Sequence, residues 1–195
     1  QQFQISDEEG SQFSWFPFLN KQGQLYVCWN ELSPESIKNN WTSWYYADWV
    51  RFGILAPTGV QQRAEIAPPA AGSYTFNGGP PPENGILNLH GYADKDGNVH
   101  YIFNRKDKDK MQKIYYYDGK KYEEVYAYPL YSEGNNFMNP PRLLSDENGV
   151  DHVIFVPSSS TLESEQIWDI TPLNKQKKVL AEIQKKGVRI TGFQA

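Results

Sequence analysis

Apolar and aromatic runs alternate along the chain with polar, turn-forming clusters, and the alternation recurs. Residues 18–29, 92–103 and 144–155 align without gaps about Gly23, Gly97 and Gly149, and Asn20, Asp94 and Asp146 each stand three residues before their glycine. An Asx side chain at the first position of a type I turn accepts backbone N–H groups, and glycine at the fourth takes the left-handed conformation of a bulged hairpin. Each turn opens into a run of strand character, Tyr26-Val27-Cys28-Trp29, His100-Tyr101-Ile102-Phe103 and His152-Val153-Ile154-Phe155. Before the turns lie first strands at 15–18, 88–92 and 139–143. After them come aromatic third strands at 44–48, 114–118 and 167–169, and more polar fourth strands at 60–66, 122–128 and 177–183, the last rich in helix formers.

Four antiparallel strands per repeat make a propeller blade. The expected fold is therefore all-β and β-propeller-like, one domain over 1–195 with three four-stranded antiparallel blades near 11–66, 86–130 and 137–183. Segments 1–6 and 188–193 read as additional strands. The first repeat interval is longer than the second, and the Pro- and Gly-rich stretch 67–82 is the expected insertion. Closed propellers have at least four blades, so three imply a fragment of a longer chain, a ring closed by a homo-oligomer, or an open stack.

Composition agrees with a β protein: Trp 6, Tyr 13 and Phe 10 accompany Gly 15 and Pro 13 in 195 residues. Cys28 is the single cysteine, which excludes an internal disulfide and a zinc cluster. The net charge of −4 and the short, interrupted lysine runs argue against a nucleic-acid partner. Apolar runs of only a few residues argue against a membrane-spanning helix, and a soluble chain is expected. Neither a cofactor nor a metal site is expected: phosphate-binding loops and nucleophile motifs are missing, and the turn aspartates lack the ligand spacing of a calcium loop.

The Asp-x-x-Gly-x-x-His hairpins at Asp94-Lys95-Asp96-Gly97 and Asp146-Glu147-Asn148-Gly149, followed by Ile114-Tyr115-Tyr116 or Ile167-Trp168, resemble those of BNR-repeat, sialidase-like β-propeller proteins of the polysaccharide-active type. The resemblance covers most of residues 13–183. The Ser-x-Asp-x-Gly-x-Thr-Trp boxes of true sialidases are not matched here. What the resemblance implies is a secreted or periplasmic protein that meets a poly- or oligosaccharide as lyase, hydrolase or glycan-binding surface.

Site residues follow from the repeat. Phe16, His90 and Arg142 each lie seven residues before their glycine, on first strands that line the channel of a propeller. Arg142 is expected to pair with a uronate carboxylate, and His90, with Tyr92, to move protons in a β-elimination. Trp15, Asn139 and Trp41 are further candidates for sugar contact. His100 and His152 share one repeat position, three residues past the glycine, which argues for a structural role in both. Two functions are thus expected: a lyase acting on an acidic polysaccharide, or a non-catalytic glycan-binding propeller or scaffold.

Overall fold

The computed structural model describes residues 12–19, 23–31, 49–56, 59–66, 86–106, 111–129, 140–157 and 165–184. All the regular structure in these residues is strand. Twelve strands form three four-stranded antiparallel sheets, each a simple meander. Sheet 1 runs β1 (Gln12–Leu19), β2 (Leu25–Glu31), β3 (Trp49–Ala56), β4 (Gly59–Ile66); sheet 2 runs β5 (Ile86–Ala93), β6 (Val99–Lys106), β7 (Met111–Tyr117), β8 (Tyr122–Pro129); sheet 3 runs β9 (Arg142–Ser145), β10 (Asp151–Phe155), β11 (Glu165–Thr171), β12 (Gln176–Ile183). The first strands adjoin one another, β1 against β5 and β5 against β9. This is a propeller-like arrangement of three blades with inner strands grouped together.

The turns form as their residues dictate. The Gly97 and Gly149 N–H groups donate to the Asp94 and Asp146 carbonyls at 3.1 and 3.0 Å. Asp94 Oδ1 accepts from the N–H groups of Asp96 and Asn98, and Asp146 Oδ1 from those of Asn148 and Val150. Gly23, Gly97 and Gly149 take φ of 76, 84 and 78°, the left-handed region in which glycine is unstrained. One Asx chemistry starts the second strands of sheets 2 and 3, and the left-handed glycine recurs before that of sheet 1, where Asn20 lies outside the described residues.

Alternation along the strands then packs sheet on sheet. Phe16 and Cys28 of sheet 1 share a core with Leu89, Val99, Tyr101 and Phe103 of sheet 2. The other face of sheet 2, through Ile102, Ile114 and Tyr116, packs on Leu143, Val153, Phe155 and Ile170 of sheet 3. Sheet 2 is thus apolar on both faces. Its Tyr101, Ile102, Phe103 and Ile114 are fully buried, each large side chain contributing roughly 2 kcal/mol through the water it sheds.

The first repeat departs from expectation. Its third strand is Trp49–Ala56, paired with β2 through Trp29↔Arg51; residues 44–48, where that strand was expected, lie outside the described residues. Residues 32–48 separate β2 from β3, against only 107–110 between β6 and β7, so the extra length of this repeat is divided between that connection and 67–85. The aromatic run at 44–46 had the β propensity of a third strand, whereas the ladder is set by pairing partners. Segments 1–6 and 188–193 lie outside the described residues.

Candidate functional site

The inner strands bring together two of the expected residues. β5 carries a bulge, a register shift between Leu87 and His90, with Asn88 in the left-handed region at φ 54°. Beyond it, His90 stacks on Phe16 of β1 at 5.7 Å between ring centroids. On its other side, His90 Nδ1 accepts the Leu143 N–H at 3.2 Å, a bond from the inner edge of β9. His90 therefore touches all three first strands. Its Nδ1 is an acceptor, so the neutral ring carries its proton on Nε2. Burial, and then the charge of Arg142, hold its pKa down to about 4. At neutral pH this imidazole is uncharged, and the ring nitrogen that could take a proton is occupied.

Arg142 lies beside it, half-buried at the start of β9. Among the described residues no carboxylate forms an ion pair with its guanidinium. A planar, five-donor guanidinium next to a neutral imidazole is chemically able to pair with a carboxylate.

Tyr92, two residues along β5, enters a different cluster. Its hydroxyl donates to Asp151 Oδ1, and that of Tyr116 to Asp151 Oδ2. His100 Nδ1 donates to the same Oδ2 at 2.8 Å, and its Nε2 is 3.6 Å from Asp94. Tyr92 stacks on His100 at 5.1 Å. Burial, and then the bond to Asp151, raise the Tyr92 hydroxyl above the ordinary tyrosine range. Burial alone would lower His100, but the Asp151 hydrogen bond and the charges of Asp151 and Asp94 outweigh it and raise its pKa. Asp151 is buried and comes from sheet 3, so the cluster fastens sheets 2 and 3 together.

His152 repeats that geometry, its Nδ1 3.0 Å from Asp169 and its Nε2 3.8 Å from Asp146. The carboxylate here belongs to its own sheet. His100 and His152 thus share one bonding pattern, as their common repeat position led one to expect.

Trp15 stays apart from His90 and Arg142. It is 66% exposed on the face of β1 turned away from sheet 2, where Pro17 and the 64%-exposed Leu19 accompany it. Asn139 and Trp41 lie outside the described residues. Asp151 went unremarked in the sequence although it adjoins His152; no local pattern marks a carboxylate whose partners sit on another sheet. Among the described residues there is no metal-ligating group of three His, Cys, Asp or Glu side chains, and no helix long and apolar enough to cross a membrane.

No family model and no curated protein sequence matches the chain. Several solved structures are similar. Among them is a fucose lectin from Kordia zhangzhouensis in complex with methyl-fucoside, with a TM-score of 0.46 and 13% sequence identity over 86% of this chain and 98% of that one.

Proposed function

We propose that the protein is a non-catalytic glycan-binding module of the sialidase-like propeller kind, with Arg142 as the group that receives an acidic sugar. The observation that carries this reading is the guanidinium without a carboxylate partner among the described residues, set on the inner strand beside an uncharged His90. A uronate carboxylate would supply the missing charge in a bidentate, partly desolvated pair. The same surroundings weaken the lyase alternative. Elimination needs a group that takes the proton next to the carboxylate. Here His90 Nδ1 is engaged with Leu143, and the Tyr92 hydroxyl is bonded to Asp151 with its proton held more tightly than usual. A secreted or periplasmic location belongs to the same proposal, because that is where such a ligand is met.

Titration calorimetry with an oligouronate tests it. Arg142→Ala should weaken binding by roughly 2 kcal/mol or more, while Lys178→Ala, a change on the exposed strand β12, should leave it unaltered. Absorbance of an unsaturated uronate should not accumulate on long incubation with the polysaccharide; its appearance would restore the lyase reading.

A further inference from the structure

His90 differs from the other two histidines in what its ring nitrogens meet. In His100 both nitrogens face carboxylates, Nδ1 that of Asp151 and Nε2 that of Asp94; in His152 they face Asp169 and Asp146. In His90, Nδ1 accepts the Leu143 N–H at 3.2 Å, which leaves the ring proton on Nε2. Among the described residues that Nε2–H donates to no acceptor, and it is not closed off from water. The ring is also held in tilt, because Phe16 stacks on it at 5.7 Å with 27° between the planes. One bond in the ring plane and one stacked face fix where the Nε2–H points. The β5 bulge at Asn88, two residues earlier, is the kind of irregularity that re-aims a side chain.

The anchor of the ring is the peptide group that joins Arg142 to Leu143, so the imidazole is tied to the backbone of the residue that carries the guanidinium. A neutral N–H donor and a planar cation, neither with an acceptor or a carboxylate of its own among the described residues, share one complement: an anion with two oxygens. We propose that His90 is a ligand-binding residue, its Nε2–H donating to the same carboxylate that Arg142 receives, and that the Leu143 N–H is the group that holds the ring in the donating tautomer. The role is that of a neutral donor, so the site keeps a single positive charge, matched to one carboxylate. Burial and the charge of Arg142, which hold the ring uncharged down to about pH 4, keep that donor in place throughout the neutral range. Because the ring is fixed before the ligand arrives, little side-chain freedom is lost on binding. This inference rests on the glycan-binding reading for the identity of the ligand, not for the pair of donors.

Proton–nitrogen correlation spectra of the full chain, labelled at its histidines, test this on the wild type, with the His90 signals identified by their loss in His90→Gln. At neutral pH the free protein should carry the His90 proton on Nε2 and none on Nδ1. An oligouronate should shift the His90 Nε2–H and leave the ring signals of His100 and His152 in place. His90→Phe keeps a ring against Phe16 but loses both nitrogens; by calorimetry it should weaken oligouronate binding roughly tenfold, as the loss of one hydrogen bond to a charged group does, with its circular dichroism unchanged. His90→Gln, which retains an acceptor and a donor, should recover part of that loss. A proton found on Nδ1, or oligouronate binding that leaves the His90 signals unmoved, would overturn the proposal while the glycan reading stands. Acetate that shifts the His90 Nε2–H where the oligouronate does not bind would uphold the two-donor site and remove the glycan reading. If neither anion moved that signal and neither bound, both would fall.

Discussion

Gly91 and Gly149 are both glycines of necessity, but for different reasons. At Gly149 the backbone has φ 78° and a Cβ would meet nothing within 4 Å, so the requirement is conformational. Gly149→Ala should cost about 1 kcal/mol, the usual left-handed penalty. At Gly91 a Cβ would fall 2.2 Å from the His100 carbonyl oxygen and 2.6 Å from Tyr101 Cβ, and both neighbours belong to the fully packed second strand. Gly91→Ala should therefore destabilise by about 3 kcal/mol, at the upper end of overpacking, because β5 must move off β6 to admit the methyl group. Denaturant unfolding of the two variants measures the difference; equal losses would contradict it. Only the first requirement was legible in the sequence. Asp146 and Gly149 announce a turn by their spacing, whereas Gly91 is fixed by a strand ten residues away whose approach no local pattern encodes.

Strands and their junctions show the same division. The strands β5 to β8 and β10 to β12 lie close to where alternation and turn chemistry put them, since each hairpin is fixed by neighbours in sequence. The third strand of sheet 1 was expected at 44–48 from the strand composition of residues 44–46, whereas the segment that pairs with β2 is Trp49–Ala56. The histidines mark the boundary between the two kinds of information. That His100 and His152 are alike followed from the repeat; that His100 takes its carboxylate from Asp151 on the next sheet did not. The latch has a consequence of its own. Asp151 accepts from Tyr92, Tyr116 and His100 while buried, so Asp151→Asn removes a charge that three donors converge on and turns an amide N–H toward one of them. We expect a loss of about 3 kcal/mol, in the range of a broken buried network. Asp169→Asn, at the half-exposed equivalent pair with His152, should cost about 1 kcal/mol or less. Comparable losses at the two positions would mean that sheets 2 and 3 are not fastened through this carboxylate.

For the molecule as a whole, two histidines with opposite shifts make stability depend on pH from both sides. His90 stays neutral in the folded protein down to about pH 4, while the unfolded chain takes up a proton near the ordinary histidine value of about 6.5. The unfolded state binds more protons in that interval, so stability falls as pH drops from about 6.5 to about 4 and then levels. At about 1.4 kcal/mol per unit the full fall is no more than roughly 3.5 kcal/mol, less as far as water reaches the ring. His100 works the other way. Its folded pKa is raised, so the stabilisation from the charged ring between Asp151 and Asp94 is complete below about 6.5 and is lost as pH climbs through the folded value. A midpoint temperature followed by calorimetry should therefore peak between slightly acid and neutral pH. The turn aspartates Asp94 and Asp146, whose pKa values are lowered, act only at and below the carboxylate range, which leaves the window above about pH 4.5 to the histidines. His90→Gln, which keeps an acceptor for the Leu143 N–H, should flatten the acid limb and spare the other. His100→Gln should flatten the alkaline limb alone. If His90→Gln left the acid limb unchanged, the imidazole would be free to charge in the folded protein, and Arg142 would no longer have an uncharged neighbour against which to bind an anion.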